Sequence, residues 1–399
     1  MPNIVNYALA ASDTFVQRPL CRVDSLCFSW LAYLRFPEGT DVASEKGVRV
    51  AELGEASLRS KLMTSLHDVE SSSMLVQALA LSPRFRDVRV CLHLSDVDET
   101  QGRQLAATTF VLPDDAGTYV AFRGTDNTLT GWKENLRLAT SEPVPSQRGA
   151  AAYLNRIGAD ATGPLYVGGH SKGGNLAVYA AGMVRDEVRA KIAMCFSHDG
   201  PGLSSQLIEL TGWDGSFSLD KTVPGESLVG MLFERSQEGL VVVRSSKQGV
   251  LQHSPFSWEV QGNDFVLEQG MDYGVWRLGQ RLNDWLDALG EAQRKELVEL
   301  IVWLMDATGE NSFSGLLARW QGNARAMSAA LDGAPSGDKE LFSRAMDDLV
   351  ATITLGSARE YERPDAGTPA AADAAARRLE DLSAKVNDRL SKLDRLTGR

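Results

Sequence analysis

Apolar and polar residues follow two different periods along the chain, and the period changes twice. Up to about residue 85 the apolar residues recur at helical spacing, as in the segment 23–36. Short apolar runs typical of strands then alternate with helical segments; these runs are 87–94, 107–112, 118–122, 164–167, 191–196, 221–223, 240–244 and 258–260. Strands that alternate with helices predict an α/β fold with a mostly parallel sheet covered by helices on both faces.

The pattern becomes helical again after about residue 274. This part contains Trp276, Trp285, Trp303 and Trp320 at helical spacing, and we expect these large rings to be buried. Prolines, a glycine and charges at 363–370 predict a linker, and 371–399 has an apolar face typical of an amphipathic helix.

The predicted organisation is therefore an α/β domain at 1–275, a helical region at 276–362, a linker at 363–370 and an amphipathic helix at 371–399. Two roles stay open for each helical part. The region 276–362 forms either a lid or a separate helical domain. The final helix either packs on its own chain or mediates self-association.

Composition narrows the class of protein. The chain has 399 residues, 43 % of them hydrophobic, and a formal net charge of −11, which argues against nucleic acid or an anionic membrane surface as a partner. No stretch approaches the length of a membrane span and the first residues lack a signal peptide, so we expect a cytoplasmic protein. The four cysteines contain no C-x-x-C pair, and we expect neither a metal nor a cofactor.

One motif carries most of the chemical information. The segment Gly169-His170-Ser171-Lys172-Gly173 has the form G-x-S-x-G and lies between an apolar strand and a helix of small residues. In a nucleophile elbow, glycines allow strand and helix to pass closely around a strained, exposed serine. The alternative is a glycine-rich turn with a buried serine, whereas the spacing of a phosphate-binding loop is absent. The motif thus favours Ser171 as a nucleophile.

A nucleophilic serine needs a histidine base, and the chain has five histidines. The order serine, acid, histidine, which is typical of α/β-hydrolases, excludes His67 and His93. His170 is adjacent to the serine on a sharp turn, where neighbouring side chains point in different directions. His253, in a loop after the predicted strand 240–244, is therefore the predicted base, and His198 is the alternative.

The acid that orients this base is less well defined. Asp199 lies in the turn Ser197-His198-Asp199-Gly200-Pro201-Gly202, at the end of the strand that follows the elbow helix. Glu226 follows the next strand and is the alternative acid. We favour Asp199, because the glycines of its turn permit close approach, while a dyad without an acid also remains open.

An oxyanion needs two hydrogen-bond donors. The predicted donors are the backbone N–H of Lys172 and that of Thr125, which Gly124 allows to turn inward, with the Thr125 hydroxyl as an additional donor. The alternative for this second loop is a polar turn with an exposed Arg123. The Lys172 side chain lies either over the site or in solvent.

These motifs together resemble a known group of proteins. The runs 119–125 and 169–177 are similar to the lipase class 3 pattern of α/β-hydrolases. With 197–202 and the run 252–258, the closer resemblance is to the Mbeg-like family of uncharacterised bacterial proteins, over roughly residues 1–270. The resemblance implies an α/β-hydrolase fold and a Ser171–His253 pair. Where class 3 lipases carry the acid, this chain has Ser227, preceded by Glu226.

The function that the sequence favours is a cytoplasmic serine hydrolase of the esterase or lipase type. Its substrate would be a small-molecule or lipid ester, attacked by Ser171 with His253 as base and Asp199 as acid. A thioesterase or peptidase needs the same groups and is an alternative. A catalytically impaired binding or scaffold protein on the same fold is another.

Overall fold

The computed structural model describes residues 1–63, 68–140, 142–212 and 217–355. The chain divides into two compact units, Met1–Gln280 and Arg281–Arg399. The predicted linker at 363–370 and the predicted helix at 371–399 lie outside the described residues, as does His67.

The first unit combines helices with an eight-stranded sheet, and the elements follow the predicted alternation. Its helices are α1 (Ile4–Ala10), α2 (Arg22–Leu31), α3 (Val50–Leu53), α4 (Ala56–Leu62), α5 (Val69–Leu81), α6 (Leu129–Arg137), α7 (Pro145–Asp160), α8 (Lys172–Met183), α9 (Asp186–Arg189), α10 (Ser205–Thr211) and the start of α11 (Tyr273–Ala288). Its strands are β1 (Val48–Arg49), β2 (Arg89–Asp98), β3 (Arg103–Val111), β4 (Thr118–Phe122), β5 (Leu165–His170), β6 (Ile192–His198), β7 (Leu219–Pro224), β8 (Leu240–Val243), β9 (Val260–Gln261) and β10 (Asp264–Phe265).

The main sheet has the strand order β1-β2-β3-β4-β5-β6-β7-β8. Strands β1 to β4 pair antiparallel, and β4 to β8 pair parallel, while β9 and β10 form a separate antiparallel pair. The parallel part confirms the predicted α/β class. Because its strands run in one direction, their carboxyl ends meet at a single edge of the sheet.

Both faces of the sheet are covered, as expected for parallel strands. All five residues of β4 are buried, and successive side chains point to opposite faces. Tyr119 packs against Phe28 of α2, with ring centroids 5.3 Å apart. Val120 belongs instead to the core formed with Leu154 of α7 and Leu176 of α8. The sheet is therefore the middle of three layers, and α8 is held directly against it.

The second unit is helical in its described part. It contains the end of α11, then α12 (Gly290–Ala307), α13 (Phe313–Ala318), α14 (Trp320–Gly333) and α15 (Ser336–Leu355). Helix α12 packs against α14 and α15, with Leu297, Leu304 and Met305 among its buried residues. No helix in the described parts of the chain is long and apolar enough to cross a membrane.

The expectation that all four tryptophans are buried is wrong for Trp303. Its side chain is 45 % exposed, although Leu300 and Leu304 of the same helix are buried. Trp276, Trp285 and Trp320 are half-buried. The helical spacing of the tryptophans predicts helices, but it does not predict which face of a helix packs against the core.

Candidate active site

Ser171 lies between a strand and a helix, as the motif predicts. Strand β5 ends at His170, helix α8 begins at Lys172, and the serine between them has a φ of 59°. Its backbone N–H donates to the carbonyl oxygen of His198 over 2.9 Å, and its own carbonyl accepts from Gly174 over 2.9 Å. A positive φ at a non-glycine residue is strained, and the flanking elements hold the serine in that conformation.

Two glycines of the motif permit this close approach of strand and helix. A Cβ atom on Gly169 would lie 2.2 Å from the backbone carbon of Gly173. A Cβ atom on Gly173 would lie 2.1 Å from the carbonyl oxygen of Phe122, at the end of β4. Any side chain at either position would push α8 away from the sheet, and the position of Ser171 would change with it.

Asp199 follows the last residue of β6, at the same edge of the sheet. Its backbone has a φ of 50°, and its N–H donates to the carbonyl oxygen of Thr222 in β7 over 2.8 Å. The carboxylate is 1 % exposed. Its Oδ2 atom accepts from Nδ1 of His253 over 2.6 Å, and its Oδ1 atom accepts from the Ser227 hydroxyl. The structure thus joins the favoured acid to the predicted base.

Charge and hydrogen bonding keep this carboxylate ionised. Burial by itself would raise the pKa of Asp199, but the charge and hydrogen bond of His253 and the hydrogen bond of Ser227 lower the pKa below its usual value. Since an ionised carboxylate only accepts, Nδ1 of His253 carries the proton. The Nε2 atom is then the basic nitrogen of a side chain that is 30 % exposed.

His170 holds the loop that carries His253. The base ends the short 3-10 segment Gly249–His253, and its carbonyl oxygen lies 2.8 Å from Nε2 of His170. A carbonyl only accepts, so the proton of His170 is on Nε2, and Nδ1 faces the Tyr33 hydroxyl at 3.2 Å. Burial and the neighbouring His253 lower the pKa of His170 to about 3, which keeps this ring neutral. His170 was excluded as the base because it is adjacent to Ser171 on a sharp turn, and no sequence signal marks its contact with His253, 83 positions away.

His198, the alternative base, is placed differently. Its side chain is fully buried, and its Nε2 atom lies 2.8 Å from the Ser25 hydroxyl of α2. Burial and the charge of Arg22 lower its pKa to about 3. His198 therefore contributes its backbone to the position of Ser171, while its ring packs in the core.

Glu226, the alternative acid, makes no described contact with the His253 ring. Its carboxylate accepts from the backbone N–H of Gly249 over 2.5 Å, and its own N–H donates to the side chain of Gln252 over 2.9 Å. Both partners belong to the 3-10 segment that ends at His253. Glu226 thus anchors the loop of the base, and Asp199 is the carboxylate that bonds the ring.

The Lys172 side chain lies neither over the site nor in solvent, so both expectations for it are wrong. It is buried, and its Nζ atom donates over 2.8 Å to the carbonyl and side-chain oxygens of Gln104 and to Glu134. Glu134 also accepts from the backbone N–H groups of Gln104 and Ser146. Burial lowers the pKa of Lys172 despite the carboxylate beside it. This network ties the first residue of α8 to α6, α7 and β3.

The loop after β4 offers one fewer donor than expected. The Thr125 hydroxyl donates to Asn135 over 2.8 Å, so its hydrogen is directed away from an oxyanion. The backbone N–H of Thr125 is the group that this residue can offer. Gly124 is required here, because a Cβ atom on it would lie 2.0 Å from the Tyr33 hydroxyl.

Arg123 is not exposed, contrary to the alternative interpretation of this loop. It is 1 % exposed and lies 3.2 Å from the Asp126 carboxylate, which Arg35 approaches to 2.7 Å. Burial and the neighbouring Arg35 lower the pKa of Arg123 to about 10. Two arginines on one carboxylate fix the turn that presents the Thr125 backbone.

Comparison with known proteins gives one match. The sequence profile of the Mbeg1-like family matches residues 79–302, more than half of the chain, and this range includes Ser171, Asp199 and His253. No curated protein and no solved structure is significantly similar to the chain.

Proposed function

The chain belongs to the Mbeg1-like family, and we propose that it is a serine hydrolase of the esterase type on an α/β-hydrolase fold. One observation carries the proposal. The buried Asp199 carboxylate lies 2.6 Å from Nδ1 of the half-exposed His253, at the sheet edge where Ser171 is held in a strained conformation. An acid that is hydrogen-bonded to a histidine, at the sheet edge that carries an elbow serine, is the arrangement that can activate a hydroxyl.

Each group has a role in acyl transfer to water. Ser171 attacks the ester carbonyl while Nε2 of His253 takes the hydroxyl proton, and Asp199 stabilises the resulting imidazolium. The backbone N–H groups of Lys172 and Thr125 stabilise the oxyanion. His253 then returns the proton to the leaving alcohol, and water releases the acyl group by the same steps.

The sheet supports the α/β-hydrolase assignment. The nucleophile follows β5, the acid follows β6 and the base lies in a loop after β8, all in the parallel part of the sheet. Parallel strands bring these loops to one edge, as ligand sites in α/β sheets require. Strands β1 to β3, which pair only antiparallel, carry none of the proposed groups.

The rim of the site favours an ester with an apolar acyl group. Val250 and Leu251, three and two positions before His253, are 75 % and 49 % exposed. Apolar side chains that stay in water beside a reactive group are typical of a surface that meets an apolar ligand. A small-molecule or lipid ester fits this surface.

Hydrolysis of a short p-nitrophenyl ester tests the proposal. We expect Ser171→Ala to lower turnover to the background rate without unfolding the protein, because no other group replaces the nucleophile. Ser205→Ala, on an exposed position of α10, is the matched control and should keep full activity. Turnover that is unchanged in purified, folded Ser171→Ala would contradict the assignment.

A further inference from the structure

A second residue bonds the acid of the proposed site. Ser227, in the loop after β7, has its hydroxyl within hydrogen-bond distance of both Oδ1 of Asp199 and the backbone N–H of Gly230, the latter at 2.8 Å. A backbone N–H only donates, so the serine oxygen accepts there and its single proton points to Asp199. Each carboxylate oxygen of Asp199 therefore has its own donor: Ser227 donates to Oδ1, and His253 donates to Oδ2.

Ser227 and Asp199 lie in closely packed surroundings. Ser227 is 4 % exposed and Asp199 is 1 % exposed. A Cβ atom on Gly230 would lie 2.7 Å from Oδ1 of Asp199 and 2.8 Å from the Ser227 hydroxyl oxygen. Gly230 belongs to the 3-10 turn Val229–Met231, whose Met231 is fully buried in a core with Val223 of β7. The backbone that holds Ser227 is thus fixed by packing.

We propose that Ser227 is a positioning residue of the proposed hydrolase, which orients Asp199 toward His253, and that a carboxylate at position 227 can replace Asp199. The inference rests on the proposed function. Its geometric basis is that the side chains of 199 and 227 meet in one buried space reached from two neighbouring strands, β6 and β7. A carboxylate on either backbone therefore lies beside Nδ1 of His253.

Loss of the Ser227 hydroxyl has a predictable electrostatic effect. The negative charge that Ser227 partly neutralises on Oδ1 becomes available to His253, which favours the protonated imidazole. His170 also faces this carboxylate, and its ring stays neutral. Glu226 accepts a hydrogen bond from the backbone N–H of Gly249, and this contact does not involve the Ser227 hydroxyl.

Ser227→Ala is the first test. We expect kcat to fall about tenfold with little change in KM, the loss of one hydrogen bond to a charged group. The acidic limb of the pH profile of kcat/KM should move to higher pH. The ring signals of His253, followed over the same pH range by NMR of 13C-labelled histidine and assigned with His253→Gln, should change in the same direction as the pH profile. A variant with the wild-type kcat, pH profile and histidine titration would overturn the positioning role.

An exchange of the two side chains is the second test. Asp199→Ser should lose most activity, and Ser227→Asp alone should also be impaired because two carboxylates share one buried space. The double variant Asp199→Ser with Ser227→Asp should recover at least about tenfold over Asp199→Ser. A folded double variant as inactive as Asp199→Ser would overturn the claim that a carboxylate at position 227 can replace Asp199. If the double variant does not fold, the Ser227→Ala variant still tests the positioning role.

The outcomes separate this inference from the proposed function. A folded wild-type protein without esterase turnover would contradict the proposed function. The NMR titration of His253 would still report whether Ser227 acts on the Asp199–His253 pair. An active wild type with no response to Ser227→Ala would overturn the inference alone.

Discussion

Three histidines near Ser171 differ in what their ring nitrogens contact, and the contacts decide what each can do. His170 and His198 are buried and neutral, bonded to the His253 carbonyl and to the Ser25 hydroxyl. His253 is bonded to a carboxylate and is partly exposed. Only His253 combines a stabilised imidazolium with access from solvent, as a general base requires.

His253→Gln should therefore slow ester hydrolysis about a hundredfold or more, the contribution of general-base catalysis. His198→Gln is the matched control, since it keeps a polar group opposite Ser25. We expect it to lower stability more than turnover. Steady-state kinetics of both folded variants check this assignment, and the reverse ranking would make His198 the base.

Buried neutral histidines also make stability depend on pH. The pKa of both His170 and His198 is about 3 in the folded protein, below the ordinary 6.5. Below about pH 6.5 the unfolded chain therefore binds protons that the folded protein does not, so the free energy of unfolding falls as the pH falls. His198→Gln should make this fall shallower between about pH 7 and about pH 5, measured by urea unfolding. An unchanged slope would show that His198 does not cause it.

At the scale of single residues, the sequence predicts the functional residues whose placement depends on the local backbone conformation. Ser171 is predicted from the glycines two positions before and two positions after it, and Asp199 from the glycines of its own turn. The side-chain positions of Lys172 and His170 were not predictable, because their partners Gln104, Glu134 and His253 are distant along the chain. Long-range contacts of this kind leave no periodic signal in one sequence.

Among the elements, the junction of α6 and α8 depends on the Lys172–Glu134 ion pair. Both side chains are buried, and Glu134 also accepts from two backbone N–H groups. Glu134→Ala would leave a buried charge without a partner, at a cost of about 3–5 kcal/mol in the free energy of unfolding. Urea unfolding measures this loss.

A double variant separates charge from packing at the same junction. Lys172→Met with Glu134→Gln keeps an acceptor for the backbone N–H groups but removes both charges. We expect it to be more stable than Glu134→Ala, since no buried charge is left unpaired. If the two variants are equally destabilised, the ion pair is not what holds α8 to α6.

The positions of the strands along the chain were predicted more completely than the way in which the strands pair. The apolar runs located β2 to β8, since fully or half-buried strands of this length have a clear pattern. The two-residue strand β1 was missed, and the run 258–260 predicted a strand that lies outside the main sheet. Its last residue begins β9, which pairs with β10. Such short pairs depend on neighbours rather than on their own residues.

For the whole molecule, the two compact units predict where truncation is tolerated. Helix α11 begins in the first unit, where Trp276 packs beside Val223 and Met231, and Gln280 donates to the carbonyl oxygen of Glu234 over 2.9 Å. Ending the chain at Gly274 removes these contacts and exposes apolar surface.

We therefore expect the fragment 1–274 to be insoluble, whereas deletion of 370–399 should leave folding and esterase activity nearly unchanged. Expression in the soluble fraction and thermal unfolding of the two proteins measure this difference. A soluble, fully active 1–274 fragment would show that the first unit does not depend on α11.

Labelling with a fluorophosphonate probe tests the central claim most directly, because the probe reacts with a serine only when a base and an oxyanion site activate it. The wild-type protein should be labelled, and tandem mass spectrometry should place the adduct on Ser171. Ser171→Ala should remain unlabelled, and His253→Gln should react far more slowly. A folded wild-type protein that is not labelled, or an adduct that persists in Ser171→Ala, would contradict the account.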